Sequence, residues 1–222
     1  MENLLSLASR WGQIISEFLF PRKKSEGLLA KLGAAQFTEK VSRAENRTED
    51  INSLFSYRDA LIKDLIWLIK YKKRDFAIRL AAELLLEETL EDVSEQMIFS
   101  GNKKILLMPI PISRGRLRER GYNQMSLVAE EMMRLSGDSC FELAKDVLVK
   151  TKETKSQTSI KNRKERLENV VGCFAVQNPE KIRGRNVLVI DDVSTTGATL
   201  LEAKKILKKS GALKVELLSL AH

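Results

Sequence analysis

The stretch from residue 189 to residue 200, VIDDVSTTGATL, holds the side chains best suited to chemistry. Asp191 and Asp192 follow an apolar run, where carboxylates can accept hydrogen bonds from sugar hydroxyls and share the charge of a nearby cation. The hydroxyl and glycine residues after them open a predicted helix, whose first backbone N–H groups carry partial positive charge and suit a phosphate. The candidate phosphate-binding residues are Ser194, Thr195, Thr196, Gly197, Ala198 and Thr199. In the alternative interpretation, this segment only caps the helix and the two acids are solvated.

Two basic segments, both expected to be loops, could supply further charge to an anionic ligand. Residues 113–120 contain four arginines and one glutamate, net +3, and residues 150–166 contain seven basic and two acidic residues, net +5. Together they equal the formal net charge of +8 for the whole chain. Arginine's planar guanidinium matches phosphate oxygens well. The alternatives are a solvated helix start for the first segment and a charged connector or nucleic-acid patch for the second.

Composition excludes several kinds of site. The sequence has one histidine, His222, and two cysteines, Cys140 and Cys173, which rules out a histidine-dependent triad and a four-cysteine zinc cluster. We expect the cysteines to be buried thiols in a reducing cytoplasm. No uncharged apolar run reaches the length of about 18 residues that a membrane span needs. The sequence therefore predicts a soluble cytoplasmic protein whose chemistry uses carboxylates, cations and hydroxyl groups.

Alternating strands and helices must position these side chains. Apolar runs predict strands over residues 105–112, 187–190 and 215–220, and apolar spacing predicts helices over 57–70, 76–85, 124–135 and 198–210. This alternation indicates an α/β fold with a mainly parallel sheet flanked by helices.

The N-terminal quarter of the chain follows a different pattern. Residues 1–20 have the apolar spacing of an amphipathic helix, which we interpret as a docking helix rather than a membrane-surface one. Residues 21–53 predict a linker or a small, weakly structured module. We therefore divide the chain into a helical N-terminal extension, 1–53, and a main domain, 54–222.

The acid doublet and the loop after it resemble the phosphoribosyl-diphosphate signature of type I phosphoribosyltransferases. Two further segments resemble one branch, the ComF family of competence-associated proteins. Residues 109–124 are similar to its Pro-Xaa-Pro, arginine-rich stretch, which ends here in Gly121, Tyr122, Asn123 and Gln124. The other segment matches the family's Thr-Gln-Arg-Asn-Phe pattern, and a Lys-aromatic pair precedes both segments. The matching positions are Lys70, Tyr71, Thr154, Gln157, Arg166, Asn169 and Phe174, with Arg163 as a competing candidate for the arginine.

The resemblance implies a type I phosphoribosyltransferase-like domain that binds 5-phosphoribosyl 1-diphosphate (PRPP) with Mg²⁺. Asp191 and Asp192 would contact the ribose hydroxyls, and residues 194–199 would hold the 5′-phosphate. The segment 150–166, with Arg163 or Arg166 acting in catalysis, would be a flexible lid. The residues that the resemblance assigns to the diphosphate are Ser113, Arg114, Arg116 and Arg120. Relatives commonly begin with a four-cysteine zinc ribbon after a Phe-Pro pair, whereas no cysteine follows Phe20 and Pro21 in residues 22–53, so we expect no zinc there.

A second hypothesis from a different class stays open at this stage. The family's association with competence implies a non-catalytic DNA-uptake accessory that binds single-stranded DNA or a competence helicase through its basic loops. Low aromatic content, 6%, with Tyr122, just after residues 113–120, as the only aromatic residue in or beside the two basic segments, argues against extensive base stacking. The sequence does not identify a phosphoribosyl acceptor, and a homodimer is a further expectation.

Overall fold

The computed structural model describes residues 23–45, 50–99, 103–137, 140–152, 165 and 169–222. A π-helical turn, Leu68–Lys72, follows the third helix, and a short 3-10 helix, Pro179–Lys181, precedes the sixth strand. The helices and strands in chain order are α1 (Lys23–Leu29), α2 (Ala34–Thr38), β1 (Asn52–Phe55), α3 (Ala60–Trp67), α4 (Asp75–Phe99), β2 (Ile105–Pro109), α5 (Arg114–Arg120), α6 (Gln124–Ser136), β3 (Phe141–Leu143), β4 (Leu148–Lys150), β5 (Phe174–Val176), β6 (Asn186–Val193), α7 (Ala198–Lys209) and β7 (Lys214–Ala221).

Five strands form a parallel sheet in the order β1, β7, β6, β2, β3. β6 lies at its centre, where Ile190 is opposite Pro109 on one side and Leu218 on the other. Strands β4 and β5 form a separate antiparallel ribbon. The α/β fold with a mainly parallel sheet flanked by helices is therefore confirmed.

Alternate residues of β6 face two different hydrophobic cores, as the period of two in a strand requires. Leu188 and Ile190 belong to the core that includes α3, α4 and α6, whereas Val187 and Val189 belong to the core that includes α7. Burying a side chain of this size contributes about 1.5–3 kcal/mol. Because both faces are covered, β6 is apolar at nearly every position until it reaches the aspartates.

Strand β6 is longer than the apolar run predicts. Its pairing with β7 continues through Asp191, opposite Ser219, to Val193, opposite Ala221. The two aspartates therefore lie within the strand, not after it as the sequence suggested. Because neighbouring strand residues point to opposite faces, the carboxylates of Asp191 and Asp192 point in different directions.

The described part of residues 21–53 packs onto the main core. Leu29 of α1 and Phe37 of α2 are buried there, and the Phe37 ring meets the edge of the Phe55 ring at 5.7 Å between centroids. Strand β1 begins at Asn52 and so crosses the division that the sequence suggested between residues 53 and 54. The division into two domains stays a prediction, and the expected amphipathic helix, 1–20, lies outside the described residues.

The basic segment 113–120, expected to be a loop, is instead largely helical. Ser113 caps α5 by accepting a hydrogen bond from the backbone N–H of Arg116, and Gly121 ends the helix with a φ of 78°. This cap explains why a charged stretch without apolar spacing still forms a helical turn. Within the described ranges, the search for a helix long and apolar enough to cross a membrane found none.

Candidate functional site

The predicted carboxylates lie at the carboxyl end of the sheet, where its connections diverge. Helix α6, which lies between β2 and β3 along the chain, packs on one face of the sheet, and α7, which lies between β6 and β7, packs on the other. Two adjacent parallel strands whose connections leave in opposite directions open a crevice beyond their ends, and this is where open α/β sheets bind ligands. The ends of β2 and β6 form such a crevice here.

Asp192 is held by donors on both carboxylate oxygens. The Lys70 ammonium lies 2.8 Å from its Oδ1, and the Gln124 amide donates to its Oδ2 at 2.7 Å. Only 8% of the Asp192 side chain is exposed. Burial alone would lower the pKa of Lys70, but the charge and the hydrogen bond of Asp192 outweigh it and raise that pKa above its ordinary value. Lys70 therefore stays an ammonium ion paired with a buried carboxylate.

A π-helical turn brings Lys70 to this position. Helix α3 continues into the wider turn Leu68–Lys72, which ends at Lys73 in the left-handed region, with a φ of 48°. The Tyr122 hydroxyl donates to the Ile69 carbonyl at 2.9 Å and ties the turn to the segment before α6. A π turn within a helix is rare and often lies at a functional site, and here it separates a half-buried Lys70 from an exposed Tyr71.

Gln124 reaches Asp192 because Asn123 fixes the start of α6. The Asn123 side chain accepts from the Met125 N–H at 3.0 Å and donates to the Ile110 carbonyl at 2.9 Å. Gln124 is then the first helical residue and is buried, and its carbonyl oxygen accepts from the Arg120 guanidinium at 3.1 Å. Both residues matched the family pattern, but the sequence alone gave no indication that Lys70 and Gln124 meet at one aspartate.

Asp191 has a different environment from its neighbour. Its Oδ1 accepts from the backbone N–H of Asp192 at 2.8 Å, and its other oxygen has no hydrogen-bond partner among the described residues. Burial and, secondly, repulsion from Asp192 raise its pKa to about 7, although the Asp192 N–H, Lys70 and Lys150 pull the pKa down in part. This carboxyl group therefore takes up a proton near neutral pH.

The predicted phosphate loop joins the end of β6 to the start of α7. The backbone N–H of Ser194 donates to the Ala221 carbonyl at 2.8 Å, which holds the beginning of the loop against β7. Thr196 Oγ1 accepts a long, 3.4 Å bond from the Ala198 N–H. Gly197 precedes the helix with a φ of 74°, and a Cβ at this position would lie 2.7 Å from Ile51 Cδ1. The first-turn amides of α7 therefore lie at the same end of the sheet as the carboxylates.

The residues predicted to bind diphosphate are not equivalent in the structure. Ser113 is buried and its Oγ is used in capping, Arg114 is exposed, and Arg116 is half-buried. Arg120 turns inward: its guanidinium lies 5.1 Å from the centre of the Tyr71 ring and donates to Gln124, while its buried Nε has no hydrogen bond. Among the described residues, the guanidinium groups of Arg114 and Arg116 thus have no hydrogen-bond or ion-pair partner.

Four predicted residues, Thr154, Gln157, Arg163 and Arg166, lie outside the described residues. Asn169 is half-buried in the stretch before β5. Lys150, at the end of β4, lies 5.8 Å from the Phe174 ring and is one of the cations that lower the pKa of Asp191. The β4 and β5 ribbon therefore brings positive charge toward the open side of the aspartate pair.

Three aromatic rings and three cations form a surface next to α5 that the sequence did not suggest. Lys72 lies 5.4 Å from the Trp67 ring and Lys73 lies 5.7 Å from the Tyr122 ring, in addition to the pair of Arg120 and Tyr71. The Trp67 and Tyr71 rings are 5.9 Å apart. Counting aromatics within each basic segment missed this cluster because the fold assembles it from separate segments. We call these six residues the aromatic-cation surface.

The aspartate pair does not make a metal site by itself. Among the described residues, no group of three or more histidine, cysteine, aspartate or glutamate side chains could hold a metal ion. Mg²⁺ is commonly bound by only one or two carboxylates, with substrate oxygens and waters completing the shell. Asp191, with one carboxylate oxygen open, fits an ion that arrives with a phosphorylated ligand.

Comparison with known proteins identifies a domain and several relatives. The family model described as Phosphoribosyl transferase domain matches residues 126–222. The chain is 34% identical to Competence protein ComFC of Streptococcus pneumoniae over 173 residues, which cover 77% of this chain and 67% of that protein. It is 33% identical to Competence protein F of Haemophilus influenzae over 117 residues, 52% of this chain and 49%, or about half, of that protein.

A solved structure of an HPRT, in which glutamic acid replaces an invariant aspartic acid, aligns with 64% of this chain and 65% of that one, at 10% identity and a TM-score of 0.41. The extent of the match to the pneumococcal protein, together with the phosphoribosyl transferase domain, identifies the family. The chain belongs to the ComF family of competence-associated proteins and has its phosphoribosyltransferase-like fold.

Proposed function

We propose that this protein binds PRPP together with Mg²⁺ and transfers the phosphoribosyl group to an acceptor that carries a nucleophilic nitrogen. One observation carries the proposal: an open carboxylate, Asp191, lies at the same end of the sheet as the start of α7, in the crevice between β2 and β6. A ribose 5-phosphate group carries hydroxyls that a carboxylate can bind and a phosphate that the first amides of a helix can bind. The loop 194–199 would receive the 5′-phosphate and the carboxylate would receive the hydroxyls.

The diphosphate would lie on the side of the crevice where α5 begins. Arg114 is exposed and Arg116 is half-buried in the first turn of α5, shortly after the end of β2. Guanidinium groups can bind two phosphate oxygens at once and neutralise the charge that develops on a leaving diphosphate. Lys150 approaches from the β4 and β5 ribbon and adds a further cation on the Asp191 side.

In the proposed reaction, the bond between the anomeric carbon and the diphosphate oxygen breaks, and the acceptor nitrogen forms the new bond. The acceptor releases a proton, and diphosphate leaves. A bound Mg²⁺ would supply charge neutralisation to the diphosphate oxygens. Because the positive charge on the sugar is short-lived, placement of carboxylates and cations matters more than a side-chain nucleophile. The absence of an internal histidine in the sequence is compatible with this chemistry.

Isothermal titration calorimetry with PRPP in the presence of Mg²⁺ tests the binding step. We expect saturable heat from the wild type, and a loss of affinity when EDTA removes the metal. Asp146→Asn serves as a control, because Asp146 lies at the surface in an ion pair with Lys181 and lines a separate pocket that includes none of the candidate site residues. Binding that does not depend on Mg²⁺, or no binding at all, would count against the proposal.

Turnover needs a separate measurement. Release of diphosphate from PRPP, measured with a panel of nucleobases and simple amines, would identify the acceptor class. A protein that binds PRPP with Mg²⁺ but releases no diphosphate with any acceptor would retain the binding half of the proposal and lose the transferase half.

A second candidate function is binding of single-stranded DNA by the aromatic-cation surface. Single-stranded nucleic acids bind where aromatic rings offer stacking and cations follow the backbone, and both are present there within short distances. Names of relatives in the ComF family refer to competence, which fits a role in DNA uptake. Direct contact with a competence helicase stays a prediction, as do a homodimer and a cytoplasmic location.

Fluorescence anisotropy with a labelled oligo-dT tests this candidate. We expect Tyr71→Ala to weaken binding by about 5–150-fold, the range of about 1–3 kcal/mol that one base stacked on an aromatic ring contributes. Leu213→Ala, which also removes an exposed apolar side chain, is the control. DNA affinity that falls steeply with salt but does not respond to Tyr71→Ala would place the DNA elsewhere on the protein.

A further inference from the structure

Strand β7 is longer than its neighbour β1, and one end of it lies beside a pocket. Pairing between the two strands begins at Asn52, opposite Leu218, so residues 214–217 of β7 extend past the start of β1. A pocket of about 480 Å³ lies along these residues, with α4 on one wall and α7 on the other. Because the five strands are parallel, this is the opposite end of the sheet from the aspartates of β6. We call this pocket the β7 trough.

The backbone of β7 directs hydrogen-bonding groups into the trough. In a strand, the N–H and carbonyl groups of successive residues point to alternate sides. The His222 N–H donates to the Phe55 carbonyl on the β1 side, and the register of β7 has no bulge between residues 214 and 221. The N–H and carbonyl groups of Glu216 and Lys214 therefore point to the β1 side as well. No described residue hydrogen-bonds to them there.

An open strand edge of this kind is a template for one more strand. The trough lies in line with β1, since Asn52 at the start of β1 is part of its lining. An extended segment in the trough would therefore pair with residues 214–217 as β1 pairs with the rest of β7. Recognition by strand addition takes its affinity from backbone hydrogen bonds and its specificity from the side chains on either wall.

The charges on the two walls differ. Helix α4 carries six acidic and no basic residues from residue 83 to residue 99. Of the two that line the trough, Glu88 is in an ion pair, whereas Asp92 is exposed and has no hydrogen-bond or ion-pair partner among the described residues. On the α7 wall, Lys204 and Lys208 contact a carboxylate and a backbone carbonyl. The unsatisfied negative charge therefore lies on the α4 side.

The alternation of side chains along a strand turns this difference into a sequence pattern. Side chains on one face of an added strand would lie toward α4 and Asp92, and those on the other face would lie toward α7. On the α7 face the neighbouring side chains of β7 are Val215 and Leu217, which belong to the hydrophobic core that includes α7. The segment that fits alternates basic and apolar residues.

We propose that the β7 trough binds a basic, extended segment of a partner protein, which adds to the sheet beside β7 with its lysine or arginine side chains toward α4. A second copy of this chain is disfavoured, because symmetric pairing of two β7 edges would bring two acidic α4 helices together. The inference is independent of the proposed binding of PRPP, which uses the other end of the sheet.

Fluorescence anisotropy with labelled synthetic peptides tests the charge preference. The main probe alternates lysine and valine between terminal threonines, and a matched probe replaces every lysine by glutamate. The measurement uses about 0.15 M NaCl, which screens exposed charges beyond about 8 Å. We expect saturable binding of the lysine probe and at least about tenfold weaker binding of the glutamate probe, because its carboxylates would face Asp92. Equal binding of the two probes would overturn the inference.

N-methylated versions of the lysine probe test the backbone pairing. One version is methylated on the lysines and the other on the valines, so each lacks the N–H donors of one strand edge. Only one edge can face β7. We therefore expect one version to bind at least about tenfold more weakly than the unmodified probe, and the other to stay within about threefold of it. Equal effects of the two methylations, whether large or absent, would overturn strand addition.

Asp92→Lys and Glu91→Lys form a matched pair of protein variants. Both residues are exposed acids on α4, and only Asp92 lines the trough. We expect Asp92→Lys to weaken binding of the lysine probe at least about tenfold, and Glu91→Lys to weaken it less than about threefold. Thermal unfolding of both variants should match the wild type, since both changes are at the surface. Equal weakening would reduce the attraction to the net charge of α4 and overturn the inference.

Other occupants of the trough give distinct results. In sedimentation velocity, a dimer of the protein that dissociates when the lysine probe is added would assign the trough to a second copy. Residues 46–49 lie outside the described residues and join Glu45 to Asp50, which lines the trough. If only a variant with glycines at 46–49 bound the probe, the trough would belong to that segment. Either result, or no binding by any of these proteins, would overturn the inference and leave the PRPP proposal standing.

Discussion

Each face of strand β6 carries one carboxylate, and the two carboxylates have different surroundings. On the face toward α3 and α6, Asp192 is enclosed by an ammonium and an amide within 2.8 Å. On the face toward α7, Asp191 has one oxygen open and a pKa raised to about 7. Burial of a charge is expensive unless it is paired. We infer that the enclosed carboxylate of Asp192 contributes to structure and that the open carboxylate of Asp191 is available for a ligand.

Unusual backbone conformations lie close to these carboxylates. Lys73 ends the π turn in the left-handed region, and Gly197 starts α7 with a φ of 74°. Such conformations persist only where the surrounding packing holds them, and they often occur at functional sites. Lys73, which is not a glycine, carries a conformational cost there, whereas Gly197 adopts its left-handed conformation without one.

The enclosed face should respond most strongly in stability. Gln124→Leu removes the donor to Asp192 and leaves the Arg120 guanidinium without its acceptor. Because hydrogen bonds to charged groups contribute about 1.5–3 kcal/mol, and unpaired buried groups cost more, we expect the free energy of unfolding to fall by about 2–4 kcal/mol. Urea denaturation followed by circular dichroism measures this change.

The control for that substitution is Glu130→Gln on the same helix. Glu130 pairs with Lys145 at the surface, where an ion pair contributes little. We expect a change of less than about 0.5 kcal/mol. Equal effects of the two substitutions would mean that Asp192 does not depend on Gln124 and would remove the contrast between the two faces.

On the open face, a substitution of the carboxylate should raise the free energy of unfolding, and the size of this effect should depend on pH. Because the pKa of Asp191 is raised to about 7 in the folded protein, the folded state binds the proton more tightly than the unfolded chain, whose carboxyl has its ordinary pKa near 3.8. The contribution of the Asp191 carboxyl to the free energy of unfolding of the wild type is therefore lost as the pH rises from about 4 to 7. Asp191→Asn mimics the protonated form, so we expect it to be more stable than the wild type above pH 7 and equal to it below pH 4.

Thermal unfolding at several pH values measures this difference. A tenfold change in proton affinity corresponds to about 1.4 kcal/mol, which moves Tm by about 3–5 °C in a chain of this size. The comparison of the faces would fail if Asp191→Asn lowered Tm at pH 8. The surroundings would then stabilise the ionised carboxylate, whereas we expect burial and the charge of Asp192 to destabilise it.

Sequence reasoning predicted three of the seven described strands, β2, β6 and β7, and four of the seven described α-helices, because their apolar patterns are local. An apolar run ending in Asp191 and Asp192, and a glycine before a helical pattern, are visible without the fold. The roles of the individual site residues, by contrast, could not be predicted from local signals. Lys70, Gln124 and Asp192 come from three separate segments, and only the packing of α3 and α6 on one face of the sheet brings them together.

Two local errors have physical causes as well. Strand β6 extends past its apolar run because β7 offers pairing partners as far as Ala221, and polar residues accept such pairing when a partner is present. The arginine-rich segment forms helix α5 because Ser113 caps it, although its apolar spacing is poor. In both places tertiary context or a cap outweighs the hydrophobic pattern.

A smaller effect is expected from the backbone on the open side. Gly197→Ala forces a side chain into the left-handed region and brings a Cβ to 2.7 Å from Ile51 Cδ1. We expect a loss of about 1–2 kcal/mol in the free energy of unfolding. Gly33→Ala is the control, since Gly33 has a φ of −83° and nothing within 4 Å of its Cβ position. If adding Ile51→Val to Gly197→Ala recovered nothing, the close approach would not contribute to the cost.

The smallest effect on stability should come from Thr196, and it sharpens the contrast between the faces. Its Oγ1 accepts from the Ala198 N–H at 3.4 Å, a bond too long to stabilise the helix by more than about 0.5 kcal/mol. Thr196→Val should therefore leave unfolding almost unchanged, while PRPP affinity falls by about 2–10-fold because a hydroxyl donor to the phosphate is lost. Thr196→Ser keeps that donor and is the control. A residue that affects binding but not stability is what the open face predicts, and Gln124, which affects stability first, is its counterpart on the enclosed face.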